Sequence, residues 1–375
     1  MTMMNDEESG NMELMKTTFP TFILIVLSAL MTACGNQYIV NDIKLVQTVG
    51  YDIIQNGVQS AAIIANYEEQ GAKKLEFYVT NSDNMFDSIP RLKTKLDFPL
   101  EYGQLRLALF GETFARKGIK ATIDSLIRNP KISRRMQFGV ADRDALNILN
   151  IPQNKSDPYF LSDMIEQNYK KGNLPLTNLH VVNFNLYGKG RDLFLPYITE
   201  EDREVKINGI ALFEGDKFKT TISIRDALLL KMLLGNSKFG SITIPIKESN
   251  QKQEDSFLMY SIGSKSKFKV ISIGPPASVA IHLELDALVR DVPPWMDLTS
   301  KDQIPSLEKS MEAYFEKEIQ KLVSFCKKNN VDPVGFGDLI RSRSNKWNAR
   351  EFQEHYGELE TTVSAKVKIV QTGSS

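Results

Sequence analysis

Apolar and polar residues follow clear periodic patterns in the last third of the chain. In residues 277–288 apolar side chains occupy alternate positions, which predicts a strand with one buried face. In residues 307–326 six apolar positions recur at spacings of three or four, which predicts an amphipathic helix of about five turns. Residues 363–369 alternate again, so the chain is predicted to end on a half-buried strand.

The earlier part of the chain mixes strand and helix patterns. Two β-rich runs, residues 46–52 and 61–67, flank Asn56-Gly57, a pair that favours the tight turn of a hairpin. Ser82 is predicted to cap a helix that Pro90 kinks or splits. The other predicted helices cover residues 118–128, 142–149, 159–171 and 224–234, and the other strands cover 106–110, 137–140, 178–187, 207–213, 218–222, 240–246 and 257–273.

Charged and polar stretches divide these elements into three groups. Residues 200–204 are all charged, and residues 248–255 are polar. We therefore predict an α+β fold of three mixed α/β domains with antiparallel sheets. The predicted bounds are 34–203 for an N-terminal α+β domain, 204–252 for a small central α+β domain, and 253–375 for a C-terminal α+β domain that contains the long amphipathic helix.

The N-terminal segment has the pattern of an export signal that ends at a cysteine. Residues 22–33 are apolar apart from Ser28 and Thr32, and this run is too short for the roughly 20 residues that span a bilayer. Lys16 supplies the positive charge ahead of it, and small residues precede Cys34, as a lipoprotein signal peptidase requires. We predict a signal peptide over residues 1–33, cleavage between Ala33 and Cys34, and an S-diacylglycerol and an N-acyl group on Cys34.

Two alternatives remain for this segment, which are a plain secreted protein and an apolar anchor that is never cut. The acidic residues Asp6, Glu7 and Glu8 oppose the charge pattern of an export signal. We interpret them as an upstream extension, with translation starting at Met12 or Met15.

Composition and charge exclude some classes of function. Lys plus Arg and Asp plus Glu number 46 each, so the chain lacks the basic excess that is typical of nucleic-acid binding. The two cysteines lie in different settings, because Cys34 follows the apolar run and Cys326 falls on the apolar stripe of the predicted helix. We expect Cys326 to be a buried hydrophobic residue rather than half of a disulfide.

The sequence contains no pattern that predicts catalysis. His180, His282 and His355 are far apart, and no two of them have metal-ligand spacing. Nucleophile-elbow and phosphate-loop motifs are absent, and Gly188-Lys189-Gly190 is interpreted as a turn. We therefore predict no catalytic, cofactor-binding or metal-binding residue and a non-enzymatic protein.

Glycines and aromatics stand out after the amphipathic helix. Gly335 and Gly337 bracket Phe336, an arrangement for which we favour a packing role over a ligand site. Trp347 follows, and it either packs on the helix or faces a partner. Trp295, after two prolines, lies on a stiff loop that suits a partner contact.

The order of these motifs resembles the Ger(x)C lipoproteins, the C subunits of spore germinant receptors. In that family a long helix precedes a Gly-Phe-Gly motif with an acidic-Leu pair, then basic and Trp residues, then a terminal strand with alternating lysines. The corresponding residues here are Gly335-Phe336-Gly337-Asp338-Leu339, Arg341, Trp347 and Lys366-Val367-Lys368.

The resemblance extends over essentially the whole chain after Cys34. One departure follows the cysteine, where family members usually carry Trp-Asp and this chain has Gly35-Asn36. Further segments that match family motifs in the family's order are Gly50-Tyr51-Asp52, Phe110-Gly111-Glu112, Ala115-Arg116-Lys117-Gly118-Ile119, Arg128-Asn129-Pro130-Lys131-Ile132 and Asn208-Gly209-Ile210-Ala211-Leu212-Phe213.

The resemblance implies a membrane-tethered, non-enzymatic subunit of a nutrient germinant receptor, required for triggering spore germination. It implies a lipid anchor on the outer face of the spore inner membrane and two integral-membrane partners, the A and B subunits, one of which is related to amino-acid transporters. The germinant pocket is then expected on that transporter-like subunit. The alternative is a solute-binding lipoprotein that feeds a membrane transporter, which would have two similar lobes around a cleft.

Overall fold

A computed structural model of the chain describes residues 43–375, apart from 68–72, 152–156, 236, 247–254, 297, 299–302 and 373–375. The predicted signal peptide and lipidation site, Ala33 and Cys34 included, lie outside the described residues. Among the described helices, none combines the length and apolar character that crossing a bilayer would need.

The first sheet is mixed and contains nine strands in the described part of the chain. The strands are β1 Lys44–Ile54, β2 Gly57–Tyr67, β3 Lys73–Ser82, β4 Leu100–Glu101, β5 Leu107–Gly111, β6 Gln137–Ala141, β7 Phe194–Glu201, β8 Glu204–Glu214 and β9 Lys217–Ser223. Their order is β3-β2-β1-β5-β6-β7-β8-β9, with the short β4 also beside β1. β1, β5, β6 and β7 run parallel to one another, and antiparallel hairpins extend both sides of this parallel centre.

Helices cover both faces of the first sheet, which explains why its central strands are nearly continuous apolar runs. β5 is buried over its whole length. One face packs against α1 Met85–Lys93, α2 Glu112–Lys117, α3 Lys120–Ile127 and α6 Leu179–Tyr187. The other face packs against α4 Ala145–Asn150, α5 Phe160–Lys171 and α7 Ile224–Leu234.

The second sheet and its helices comprise β10 Ser241–Ile246, β11 Asp255–Ser272, β12 Ser278–Arg290, α8 Gln303–Lys328, α9 Phe336–Arg341, α10 Ala349–His355, a 3-10 turn Tyr356–Glu358, and β13 Glu360–Thr372. The four described strands have the order β10-β11-β12-β13, and only the last pair is parallel. The long helix α8 packs on one face of the sheet with the predicted apolar stripe, while the other face is open to solvent.

Helix α7 joins the two sheets in one apolar core. Its residues 227–233 are all buried, and the helix contacts strands of both sheets as well as α8. The one charged residue in this stretch, Lys231, donates from Nζ to the carbonyls of Tyr169 (3.0 Å) and Gly172 (2.7 Å) at the end of α5. A cation is favourable at a helix C-terminus, although burial lowers the pKa of Lys231 to about 8.

Three glutamates of α8 cover the free edge of β13. Glu308, Glu312 and Glu316 lie one turn apart and accept the backbone N–H groups of Ile369, Val367 and Ala365 at 2.8, 3.2 and 3.0 Å. An unpaired strand edge is a template for association with another chain, and these carboxylates occupy its donors.

The predicted α+β class is confirmed, and most predicted elements are present, but the strand predicted over residues 178–187 is wrong, because residues 179–187 form helix α6. Their apolar and aromatic content favours a strand. The side chain of Asn178, however, accepts the N–H of Val181 at 3.1 Å and caps a helix. The cap of α1 was also misplaced: Asn84, not Ser82, accepts its first N–H groups.

The predicted domain bounds do not coincide with the sheets. The boundary between residues 203 and 204 falls where the turn of the β7–β8 hairpin meets β8, so the first sheet continues across it. The predicted central domain is shared, because β8 and β9 belong to the first sheet and β10 to the second. The assignment of strands to the two sheets depends on pairing between residues far apart in the sequence, which local sequence patterns do not reveal. Residues 44–375 form one compact unit.

Candidate functional site

The predicted Gly335-Phe336-Gly337 motif leads into the first turn of α9 around a buried carboxylate, and we call this turn the Gly-Phe-Gly loop. Asp332 is 2% exposed, and its two carboxylate oxygens accept the N–H groups of Gly335 (2.8 Å) and Gly337 (2.9 Å). Gly335 adopts the left-handed conformation, with φ 85°, which favours glycine. The loop therefore turns through glycine and closes on a carboxylate.

A second buried carboxylate links this loop to the first sheet. Asp192, just before β7, accepts the N–H of Asp332 at 2.7 Å and that of Gly215 at 3.0 Å. The backbone N–H of Asp192 donates in return to the carbonyl of Asp332 at 2.9 Å. We call these reciprocal bonds of Asp192 and Asp332 the carboxylate latch.

The latch brings two backbones into direct contact at Gly190 and Gly337. The N–H of Asp338 donates to the carbonyl of Gly190 at 2.7 Å. A Cβ on Gly337 would lie 2.7 Å from Cα of Gly190, closer than side chains tolerate. Gly188-Lys189-Gly190, interpreted from sequence as a turn, is thus the surface on which the Gly-Phe-Gly loop docks.

Burial, rather than catalysis, sets the electrostatics of the latch. Burial raises the pKa of the Asp332 carboxyl to about 7; the nearby Asp192 adds to this effect, while the backbone N–H bonds oppose it. Burial likewise raises the pKa of Asp192 and of the Cys326 thiol, and raises that of the Tyr356 hydroxyl well above its ordinary value. A thiol in this state is protonated and a poor nucleophile.

Phe336 is fully buried in the core that the two sheets share, with its ring edge against Phe268 at 6.1 Å between centroids. Trp347 is half-buried beside Phe352, and its Nε1 has no hydrogen-bond partner among the described residues. That atom is enclosed by protein, and the Trp347 side chain packs against the shared core.

Trp347 lines a half-open groove of about 260 Å³ between α10 and the tip of the β11–β12 hairpin. Ile340, Phe352 and Leu359 form its apolar floor, and the exposed Ile273 and Pro275 form the opposite wall. Trp295 lies elsewhere: it is half-buried and donates from Nε1 to Asp255 at 2.6 Å. The structure therefore brings Gly335, Phe336, Gly337 and Trp347 into one region and leaves Trp295 at the base of β11.

An ion-pair chain lies on the solvent side of the loop. Arg191 pairs with Asp338, which also accepts from Arg341 at 2.6 Å. Burial opposes ionisation of Asp338, but the hydrogen bonds from Arg341 and Arg191 outweigh it and lower the pKa of this carboxyl. Arg191 and Asp192 were not recognised in the sequence; the glycines before them were the available signal.

The other sequence motifs also serve backbone geometry. Asp52 accepts the N–H groups of Ala145 (2.7 Å) and Leu146 (2.9 Å) and so caps α4 from a neighbouring strand. A Cβ on Gly111 would lie 1.9 Å from Oδ1 of Asp52, which requires glycine there. The Gly50-Tyr51-Asp52 segment is therefore a helix-capping device.

Within the described ranges, no three His, Cys, Asp or Glu side chains are grouped so that they could hold a metal ion. His282 is on the open face of the second sheet and contacts Ser364 Oγ at 2.9 Å. His180 is exposed on α6, and His355 contacts Glu358 at 3.1 Å.

Two protein-family models match the chain and together cover most of it. The Spore germination protein N-terminal domain matches residues 36–200. The model described as Spore germination B3/ GerAC like, C-terminal, matches residues 208–373. The two matches meet close to the β7–β8 turn.

Similar proteins align with this chain over nearly the full length of both. Spore germination protein GerQC of Bacillus cereus is 28% identical over 94% of this chain and 98% of its own length. The putative spore germination protein YfkR of Bacillus subtilis (strain 168) is 22% identical over 96% of this chain and 97% of its own length. The crystal structure of the GerBC protein has the same fold, with a TM-score of 0.56 at 15% identity, over 86% of this chain and 97% of that one.

The first prediction concerns the stability that the latch provides. Asp332→Ala should lower the free energy of unfolding by about 3 kcal/mol, because it leaves buried N–H groups without an acceptor. Urea unfolding of the purified protein measures this. Asp83→Ala is the matched control, since the Asp83 side chain is 84% exposed, and it should change stability by less than about 0.5 kcal/mol. Equal losses in the two variants would contradict the latch.

The second prediction concerns pH. The Asp332 carboxyl holds its proton up to about pH 7 in the folded chain, but only to about pH 4 when unfolded. Its contribution to stability is therefore fully present below about pH 4 and is lost as the pH rises to 7. The free energy of unfolding of the wild-type protein minus that of Asp332→Asn should therefore be larger at about pH 4.5, near the lower end of this range, than at about pH 8, above its upper end. A difference that stays constant from about pH 4.5 to about pH 8 would contradict this, because it would show that the buried carboxyl is ionised throughout that range.

Proposed function

The chain belongs to the Ger(x)C family of spore germination proteins, and from this premise we propose that it is the lipid-tethered, non-enzymatic C subunit of a nutrient germinant receptor. The observation that carries the proposal is the extent of the relationship. Both family domains are matched in order over residues 36–373, and relatives named as spore germination proteins align over nearly their full length. A role in spore germination follows from the family; the tether and the receptor assembly are the proposed parts.

The proposed anchor rests on the N-terminal sequence. An apolar run of a dozen residues ends at Thr32-Ala33-Cys34, and the first matched domain begins two residues later, at residue 36. A diacylglycerol on Cys34 supplies two acyl chains, which stable anchoring to a bilayer needs, because a single chain binds only marginally. We place the protein on the outer face of the spore inner membrane.

The non-enzymatic role is supported by what the distinctive polar residues do. The buried carboxylates of Asp52, Asp192 and Asp332 are occupied by backbone N–H groups. The Cys326 thiol is buried, with a raised pKa. These groups organise the fold, which suits a protein that acts by contact with the integral-membrane A and B subunits.

The alternative of a solute-binding lipoprotein has less support. That function is typical of two similar lobes on either side of a cleft. Here a large mixed sheet and a smaller sheet share one core through α7, and they differ in strand number and order.

The third prediction tests the tether. Cys34→Ala should abolish metabolic labelling of the protein with palmitate and remove it from the spore membrane fraction, because no thiol remains to carry the lipid. Nutrient germination should slow in the same spores. Cys326→Ala is the matched control, since Cys326 is buried, and it should leave labelling and membrane retention unchanged.

A Cys34→Ala protein that is still labelled and still membrane-bound at its mature mass would contradict the tether. The mass is part of the test, because an uncut signal segment could also hold the protein at the membrane. The receptor role is tested by deleting the gene in a strain without related receptors. If the wild-type protein is membrane-bound but its deletion leaves every nutrient response intact, the receptor role is contradicted.

A further inference from the structure

Helix α6 carries apolar side chains on both of its faces. Leu179 and Val182 are buried against the first sheet, and Leu186 is half-buried beside them. On the opposite side, Phe184 is 53% exposed and Tyr187 is 51% exposed. A helix that is apolar all round is normally enclosed on all sides, yet this one lies at the surface of the chain.

The exposed side of α6 is a regular helical stripe. His180, Asn183, Phe184 and Tyr187 follow the spacing of three and four that puts residues on one face. The same feature explains the wrong strand prediction, because apolar residues on both faces conceal the helical period. We call the outer side of α6, with Phe184 and Tyr187, the α6 surface.

Cations lie directly on the two exposed rings. The guanidinium of Arg191 is 4.1 Å from the ring centre of Phe184, and Nζ of Lys120 is 3.7 Å from that of Tyr187. Lys189 is exposed in the loop that follows α6, between Tyr187 and Arg191. With Arg341, which shares Asp338 with Arg191, four cations accompany three carboxylates, Asp124, Asp216 and Asp338, an excess of one positive charge. The cations are also the more exposed partners, since Lys120 and Arg341 are 45% and 48% exposed against 25% and 24% for Asp124 and Asp338.

The α6 surface is held in place by the carboxylate latch. Arg191 lies between Gly190, which contacts Gly337, and Asp192, which bonds Asp332. The hydroxyl of Tyr187 is hydrogen-bonded to Asp124 on α3. Two aromatic side chains in fixed positions provide contact area with little loss of conformational entropy on binding.

We propose that the α6 surface is the docking site for a segment of a membrane receptor subunit that carries an apolar side chain flanked by carboxylates. The inference deepens the proposed receptor role and rests on it. The apolar side chain would pack on Phe184 and Tyr187, and the carboxylates would face Arg191, Lys120 and Lys189. Aromatic and arginine side chains of this kind dominate the binding free energy of protein interfaces.

A partner protein fits this surface better than an anionic membrane does. A helix that lies in a membrane interface presents a continuous apolar face towards the acyl chains. The inner apolar face of α6 is already committed to the sheet, and its outer face offers only two rings among polar residues. Charge complementarity then selects an acidic segment.

The fourth prediction tests the α6 surface in the full-length, lipidated protein. Phe184→Asp should reduce co-purification of the receptor subunits from detergent-solubilised spore membranes by at least about tenfold, because an interface anchor is replaced by a charge. Phe239→Asp is the matched control. Phe239 is 49% exposed, with the Lys171 ammonium 4.1 Å from its ring centre. The Phe239→Asp protein should co-purify the subunits as well as the wild-type protein does.

The contact itself is identified with a photoreactive benzoylphenylalanine at position 184 and, for comparison, at position 239. Irradiation of intact spores should link position 184 to an acidic segment of a receptor subunit, and position 239 should give no such product. Both Asp variants should unfold at the wild-type temperature, since both side chains are exposed.

Several results would overturn the proposal. Undiminished co-purification by Phe184→Asp would do so, as would products at position 184 that contain lipid or a second copy of this chain, or no product at all. If the wild-type protein itself fails to co-purify the subunits, the receptor role fails and the α6 surface with it. If the wild-type protein and Phe184→Asp co-purify the subunits equally well, the α6 surface is not the docking site, and the receptor role is unaffected.

Discussion

The reciprocal bonds between Asp192 and Asp332 are the constraint on which the arrangement of this protein depends. Asp192 precedes β7 of the first sheet, and Asp332 follows α8, which packs on the second sheet. The backbone N–H of Asp332 donates to the Asp192 carboxylate at 2.7 Å, and the backbone N–H of Asp192 donates to the Asp332 carbonyl at 2.9 Å. Burying two carboxylates is unfavourable unless their hydrogen-bonding capacity is filled, which requires the glycine-rich loops to approach closely. The glycines at 190, 335 and 337 follow from that requirement.

The latch and helix α7 stabilise the junction between the two sheets at two different places. α7 fills the core between the sheets with apolar side chains, while the latch fixes the loops at its border by directional bonds. On the solvent side of the latch, Arg191 pairs with Asp338 and lies on the ring of Phe184, which is part of the α6 surface. The Gly-Phe-Gly motif, for which the sequence favours a packing role over a ligand site, therefore supports the proposed contact surface.

The sequence predicts the elements that depend on local pattern. The α8 stripe, the β1–β2 hairpin at Asn56-Gly57 and the closing strand are all in place, because their periodicity reflects a single buried face. It misses α6, whose two apolar faces remove that signal. It also misses Asp192, which gains its role only when a loop 140 residues away bonds to it. Strand order and loop docking depend on such long-range contacts.

Amide hydrogen exchange of the Gly-Phe-Gly loop tests the latch most directly. If the Asp332 carboxylate holds this loop, the amides of Gly335 and Gly337 exchange as slowly as those of the central strands β5 and β6, through global unfolding. They should do so although they lie outside the sheets, and Asp332→Asn should release them. Exchange of these two amides at the rate of exposed turns in the wild-type protein would contradict the account.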